Sequence, residues 1–296
     1  MKPQEVTGSK KNRAENIKHQ TRIRKALLKR LSITKFLLAY FRLMQKLPGK
    51  YLLYIVCMIL IAAISCKKNE SLLAINSTAS NYYPLDTGKI WIYRLDSTTT
   101  PAFGTSLIVH SYHIKDSMGV SFMDNTGRES WPVYRFITDT LEQNPWQSLS
   151  TYYVTPVEKN IEVVDDNNLR FIKLVTPVHE NYSWKGNSYI DTRSGYSPYQ
   201  YLDGWDYTYE GVDSSYTTLA GVVDSTVTVF QRDETSPDGP FDPQFYQQRN
   251  YSIEVYAAGI GLIYKNFLHW TWQPTPPPSR YEDGSYGVVL NLIEAR

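Results

Sequence analysis

The chain has 296 residues, 14% of them aromatic, with 31 Lys+Arg against 29 Asp+Glu and a formal net charge of +2. The near-balance is uneven: residues 1–65 hold 14 basic and two acidic residues, which leaves 17 against 27, a net of −10, for residues 66–296. An acidic body argues against nucleic acid, whose affinity comes largely from Lys and Arg neutralising phosphates. The two cysteines, Cys57 and Cys66, leave nothing beyond residue 66 for a disulfide, a thiolate metal site or a cysteine nucleophile.

Residues 1–43 are basic and too long for an ordinary signal n-region. Met44 opens a segment of normal signal proportions, with Lys46 and Lys50 as its positive flank. The favoured reading makes Met44 the true start and 1–43 a mis-assigned extension. The competing one is a basic amphipathic helix over 22–41, with Ile23, Leu27, Leu28, Leu31, Leu38 and Phe41 near helical spacing. The apolar run Tyr51 to Ile64 then ends in Ala63-Ile64-Ser65-Cys66, followed at once by Lys67 and Lys68. It falls short of the roughly 20 apolar residues that a bilayer span needs. A basic flank, an apolar run, small residues and a cysteine resemble a bacterial lipobox, although Ala63 stands where a larger aliphatic is usual. The resemblance implies cleavage between Ser65 and Cys66, acylation of the Cys66 thiol, and a membrane partner reached through that anchor. Two or three acyl chains anchor durably where one holds only marginally.

Residues 66–80 read as the lipidated cysteine and a polar tether. From Asn81 to Arg296 the pattern is β throughout, rich in Tyr, Trp, Thr, Val and Ile between turn clusters. Strands are expected over 89–95, with Trp91, Tyr93 and Leu95 on one face, and over 105–114, 131–137 and 148–154. Residues 161–164, the turn Asp165-Asp166-Asn167-Asn168 and 169–175 form the clearest hairpin. Weaker strands are expected at 188–191, 205–210 and 216–219. The series ends with 225–230, where Val227 and Val229 face one way, then 251–257, 261–267, 269–273 and 287–293. Pro-rich stretches 233–243 and 273–283 read as exposed connections. The expected fold is all-β: a single antiparallel domain, sandwich or partly closed barrel-like sheet, preceded by a signal helix.

Candidate chemistry is sparse. Gly259 and Gly261 lack the third glycine and the following helix of a nucleotide loop, so a tight hairpin is expected there. No G-x-S-x-G serine elbow occurs. His110 and His113, three apart on a strand, point to opposite faces and make poor joint ligands. Asp233, Asp238 and Asp242 lack EF-hand spacing. No metal, cofactor or catalytic residue is assigned. The positive oddity is 24 Tyr and 7 Trp. If the tract from Trp184 to Tyr209 were exposed, Trp184, Trp205 and Tyr207 would be candidates for stacking on a glycan, against the plainer reading of aromatics pairing across strands.

Tyr82-Tyr83-Pro84-Leu85, then Gly88, Trp91 and Tyr93, make the pattern YYPLxxGxxWxY. Together with Ser183-Trp184-Lys185-Gly186-Asn187 and the segment Ala257 to Lys265 (AAGIGLIYK), they resemble uncharacterised outer-membrane lipoproteins of the Bacteroidota type. The resemblance covers about 81–296 and looks architectural. It implies lipid anchoring at the outer membrane, with the cell surface and the periplasmic face both open, and it transfers no activity. Three function classes follow: a non-catalytic envelope binding or structural module, ranked first; a periplasm-facing carrier of lipid or another apolar ligand; and a polysaccharide-acting hydrolase, which needs paired carboxylates about 5–10 Å apart.

Overall fold

Alternation of apolar and polar side chains is what a strand needs to cover one face and wet the other, and it recurs along the chain. The computed structural model describes residues 78–296 apart from 102, 103 and 276; Ser65, Cys66, the signal segment and the basic extension lie outside the described residues. The strands are β1 (Ile90–Thr99), β2 (Ile108–Met118), β3 (Phe122–Met123), β4 (Glu129–Asp139), β5 (Gln147–Val157), β6 (Asn160–Val164) and β7 (Arg170–Val175). They continue with β8 (Ser183–Trp184), β9 (Tyr207–Thr218), β10 (Gly221–Ser236), β11 (Gln247–Ala257), β12 (Gly261–Gln273), β13 (Arg280–Tyr281) and β14 (Tyr286–Ala295). Two short 3₁₀ turns, Ala79–Tyr82 and Gln200–Leu202, are the only helical elements among the described residues.

All fourteen strands belong to one antiparallel sheet, in the order β7-β6-β5-β4-β2-β1-β14-β12-β11-β10-β9-β8, with β3 on β4 and β13 on β12. Apart from those two short strands, the order follows the chain around a ring that joins its first and last strands, β1 to β14. The ladder at that junction runs from Trp91↔Ala295 to Thr98↔Gly287. The result is an up-and-down, barrel-like sheet open at one seam, between β7 and β8. Inward positions supply the core: Tyr93, Ile114, Val133, Val154, Val227, Val229, Ile263 and Leu290 are all at most 2% exposed. Each such side chain contributes on the order of 1.5–3 kcal/mol by leaving water.

The open seam is closed by side chains and loop backbone. Ile172 N–H donates to Gly186 O at 2.7 Å, and Trp184 Nε1 donates to Ile172 O at 2.8 Å. The Tyr209 hydroxyl accepts from Val175 N–H at 2.7 Å and donates to Val175 O at 2.8 Å. It therefore answers both groups that an unpaired edge residue would leave open. The Trp184 and Tyr209 rings lie 4.5 Å apart over this join. Gly186 is required here, because a Cβ at this position would run into the Tyr207 ring.

Two of the three segments behind the lipoprotein resemblance meet in space. Lys89 Nζ donates to Gly259 O at 2.6 Å, Trp91 Nε1 to Ile260 O at 2.6 Å and the Tyr93 hydroxyl to Leu262 O at 2.8 Å. Residues 258–260 form the tight β11–β12 turn expected from the glycines, with Gly259 at φ +71° and Gly261 at φ +108°. The expected hairpin at 165–168 is β6–β7. Five expectations change. Residues 188–191 form turns, because Asn187 is drawn off to Leu202 O through its side-chain amide. The two weak strands at 205–210 and 216–219 merge into β9, and 261–267 and 269–273 merge into β12. Residues 233–236 belong to β10, whose ladder with β11 runs to Ser236↔Gln248. Residues 280–281 form β13.

Replacing Tyr209 with phenylalanine keeps the ring and strands both backbone groups of Val175. The expected cost is about 1–3 kcal/mol, read as a lower midpoint in chemical denaturation and faster amide exchange at Val175. An unchanged midpoint would mean that the seam does not depend on the hydroxyl.

Candidate functional site

Because the sheet curls on itself, its inward face encloses space, and a cavity of about 300 Å³ remains. Its walls come from β4 to β7, β9 to β12 and β14. Toward solvent the lining ends on exposed Asp166 and Asn167 of the β6–β7 turn and on half-exposed Tyr286.

Two ion-paired groups occupy inward positions where alternation alone would place apolar side chains. Arg135 on β4 donates to both oxygens of Asp116 on β2, Nε to Oδ1 at 2.7 Å and Nη2 to Oδ2 at 2.6 Å. The Tyr152 hydroxyl adds a third bond to Oδ2 at 3.0 Å. Glu254 on β11 accepts from Lys173 Nζ at 2.7 Å and from the Tyr256 hydroxyl at 2.8 Å. Lys265, directly across the ladder from Glu254, approaches the same Oε1 at 3.5 Å. Burial works against the Glu254 charge, and the two lysines overcome it, holding the carboxyl at about 2. For Lys265, burial lowers the ammonium, and nearby Lys173 adds to that.

Tyr201 and His269 stack at 3.8 Å. His269 Nδ1 donates to Asn250 Oδ1 at 2.7 Å, and burial depresses the imidazole to about 4. Trp205 Nε1 and Gln231 Nε2 are buried without a hydrogen-bond partner among the described residues. Both residues line the cavity.

Of the glycan-stacking candidates, Trp205 and Tyr207 are each 1% exposed and face the cavity. Trp184 is half-buried in the seam. These three therefore form no platform on the outer surface. His113 sits 3.0 Å from Glu142, and His110 is exposed on its own. Asp233, Asp238 and Asp242 do not converge, and no group of three potential metal-binding side chains occurs among the described residues. Asp165 points one oxygen at the backbone N–H groups of Asn167 and Leu169, as expected of turn chemistry. Sequence reading did not single out Arg135, Gln231, Glu254 or Lys265. A charged residue at an inward strand position was the available signal, and it became readable only once the register was known.

No protein-family model matches the chain, and no curated protein matches it. Among solved structures, a candidate lipoprotein from Parabacteroides distasonis is 12% identical, with a TM-score of 0.33 over 75% of this chain and 100% of that one. At that level the likeness sets neither fold nor function here.

The depressed groups give stability a defined acid dependence. The folded state holds His269 and Glu254 below their ordinary values of 6.5 and 4.5. Both contributions are therefore complete at neutral pH and shrink as pH falls. The His269 share, on the order of 3 kcal/mol, is lost between about 6.5 and about 4, and the Glu254 share between about 4.5 and about 2. Denaturant midpoints measured from neutral pH downward should decline in two stages. His269→Gln should flatten the first stage and leave the second.

Proposed function

We infer that this chain is a lipid-anchored envelope lipoprotein of the outer membrane, held through Cys66, whose β domain is a non-catalytic binding module with its ligand site inside the sheet. The Ser65-Cys66 context supports the anchor. The observation that carries the binding reading is the cavity itself, about 300 Å³, with Trp205 and Gln231 in its lining, each carrying a buried side-chain donor that has no partner among the described residues. An unmet buried donor costs about 1–3 kcal/mol, a cost that a ligand or water would relieve. The volume lies at the lower end of the usual range for small-molecule sites.

An enclosed site favours a carrier-like mode over stacking on an external aromatic platform, because Trp205 and Tyr207 can meet a ligand only from within. The hydrolase reading gains nothing from the interior carboxylates. Asp116 is tied bidentately to Arg135, and Glu254 sits near 2, where it cannot serve as a proton donor at neutral pH.

Mass analysis of the native N-terminus should find diacylglyceryl on Cys66. Cys66→Ala should release the protein from membranes or leave it unprocessed. A mature protein that still carries residues 1–43 would overturn the anchor.

A further inference from the structure

The charges inside the sheet do not close on themselves. Three cations, Arg135, Lys173 and Lys265, line the cavity and face two buried carboxylates, Asp116 and Glu254. Arg135 is fully answered by Asp116, and Lys173 and Tyr256 take the two oxygens of Glu254. Lys265 is left with a 3.5 Å approach to an oxygen that Lys173 already holds. Asp165 and Asp166 lie at the solvent end of the cavity, on the β6–β7 turn.

The two residues that carry the unpartnered donors line the cavity together with Lys265. Gln231 is 4% exposed, and its Oε1 accepts from Ser252 Oγ at 2.7 Å, which leaves Nε2 over. Ser252 pairs with Phe267 and Glu254 with Lys265, so these pairs occupy successive inward positions of the β11–β12 ladder. Trp205, 1% exposed, packs its ring 6.2 Å from Phe267, which brings it to the same stretch of wall. Most of the remaining lining is apolar or aromatic, with Phe171, Tyr207 and Leu290 among it.

We propose that the cavity binds an amphipathic organic carboxylate, its charged end received by Lys265, Gln231 and Trp205 and its apolar body laid against the aromatic wall. This deepens the binding reading and rests on it. A cavity of about 300 Å³, at about 30 Å³ per water, has room for an acid of roughly ten to fifteen non-hydrogen atoms. A charged headgroup supplies what Lys265 lacks, and its second oxygen can accept from a neutral N–H.

Full-length protein in phosphatidylcholine nanodiscs should be titrated calorimetrically with phenylbutyrate, with phenylbutanol as the uncharged counterpart, with inorganic phosphate, and against empty nanodiscs. The expected result is binding of the acid about tenfold or more tighter than the alcohol. Lys265→Met should abolish that preference, and Trp205→Phe should weaken the acid severalfold while the variant still unfolds in a single cooperative thermal transition. The Trp205 variant carries the test if Lys265→Met does not fold. Equal affinity for acid and alcohol would overturn the carboxylate assignment and leave a binding cavity for neutral apolar molecules. Phosphate binding as tight as phenylbutyrate would overturn the amphipathic part. Binding of none of them, with ordered waters on Trp205 Nε1 and Gln231 Nε2 in a crystal structure, would overturn this proposal and the binding reading together.

Discussion

The closure of the sheet depends on how its last gap is bridged. Strands laid in chain order around a ring end with two edges, and an unpaired edge exposes a row of amide and carbonyl groups. Here β1 and β14 join by a regular ladder, while β7 and β8 do not pair. Tyr209 takes the place of a strand residue at Val175, and Trp184 and Gly186 do the same at Ile172. Side chains rather than a backbone ladder make most of the join. Enclosure of the cavity follows from that bridging.

Enclosure in turn sets the terms for every polar group inside. A carboxylate or ammonium taken out of water needs a partner of good geometry. Asp116 meets this with a bidentate arginine and a tyrosine hydroxyl, and Glu254 with two lysines and a tyrosine hydroxyl. An apolar core of equal volume would serve stability as well or better. Keeping one more cation than carboxylate among these buried pairs is therefore hard to explain as a stabilising device, and easier to explain as an arrangement left open for an anion.

Much of the fold can be read from the residues alone, because strand alternation is local. The shared inward face of Trp91 and Tyr93 on β1 and of Val227 and Val229 on β10, the Asp165–Asn168 turn and the Gly259 hairpin each follow from neighbours in sequence. The site could not be read in this way. Lys265 lies in a stretch whose other inward residues, Ile263 and Phe267, are apolar, and period alone places a lysine inside or outside with equal ease. Its partner Glu254 becomes visible only through the register of β11 on β12, and Lys173 only through ring closure, which brings together residues 81 positions apart. Trp184, Trp205 and Tyr207 stand out by composition, yet their burial is decided by the seam and the curl of the sheet.

The tyrosine content follows from the same constraint. With Cys57 and Cys66 both outside the described residues, nothing in the sheet is cross-linked covalently. A tyrosine buries a large apolar ring and carries a hydroxyl that can bond at the far end of it. Tyr93 uses that reach to hold Leu262 O across β14, Tyr209 to close the seam, and Tyr152 and Tyr256 to complete the two ion pairs. Away from the cavity, the Tyr189 hydroxyl joins the guanidinium groups of Arg128 and Arg170 in satisfying the buried carboxylate of Glu162 on β6. Phenylalanine would supply the same packing and none of these bonds. Tyrosine hydroxyls thus complete the ion pairs, bridge the seam and tie strands that are not neighbours in a sheet without disulfides.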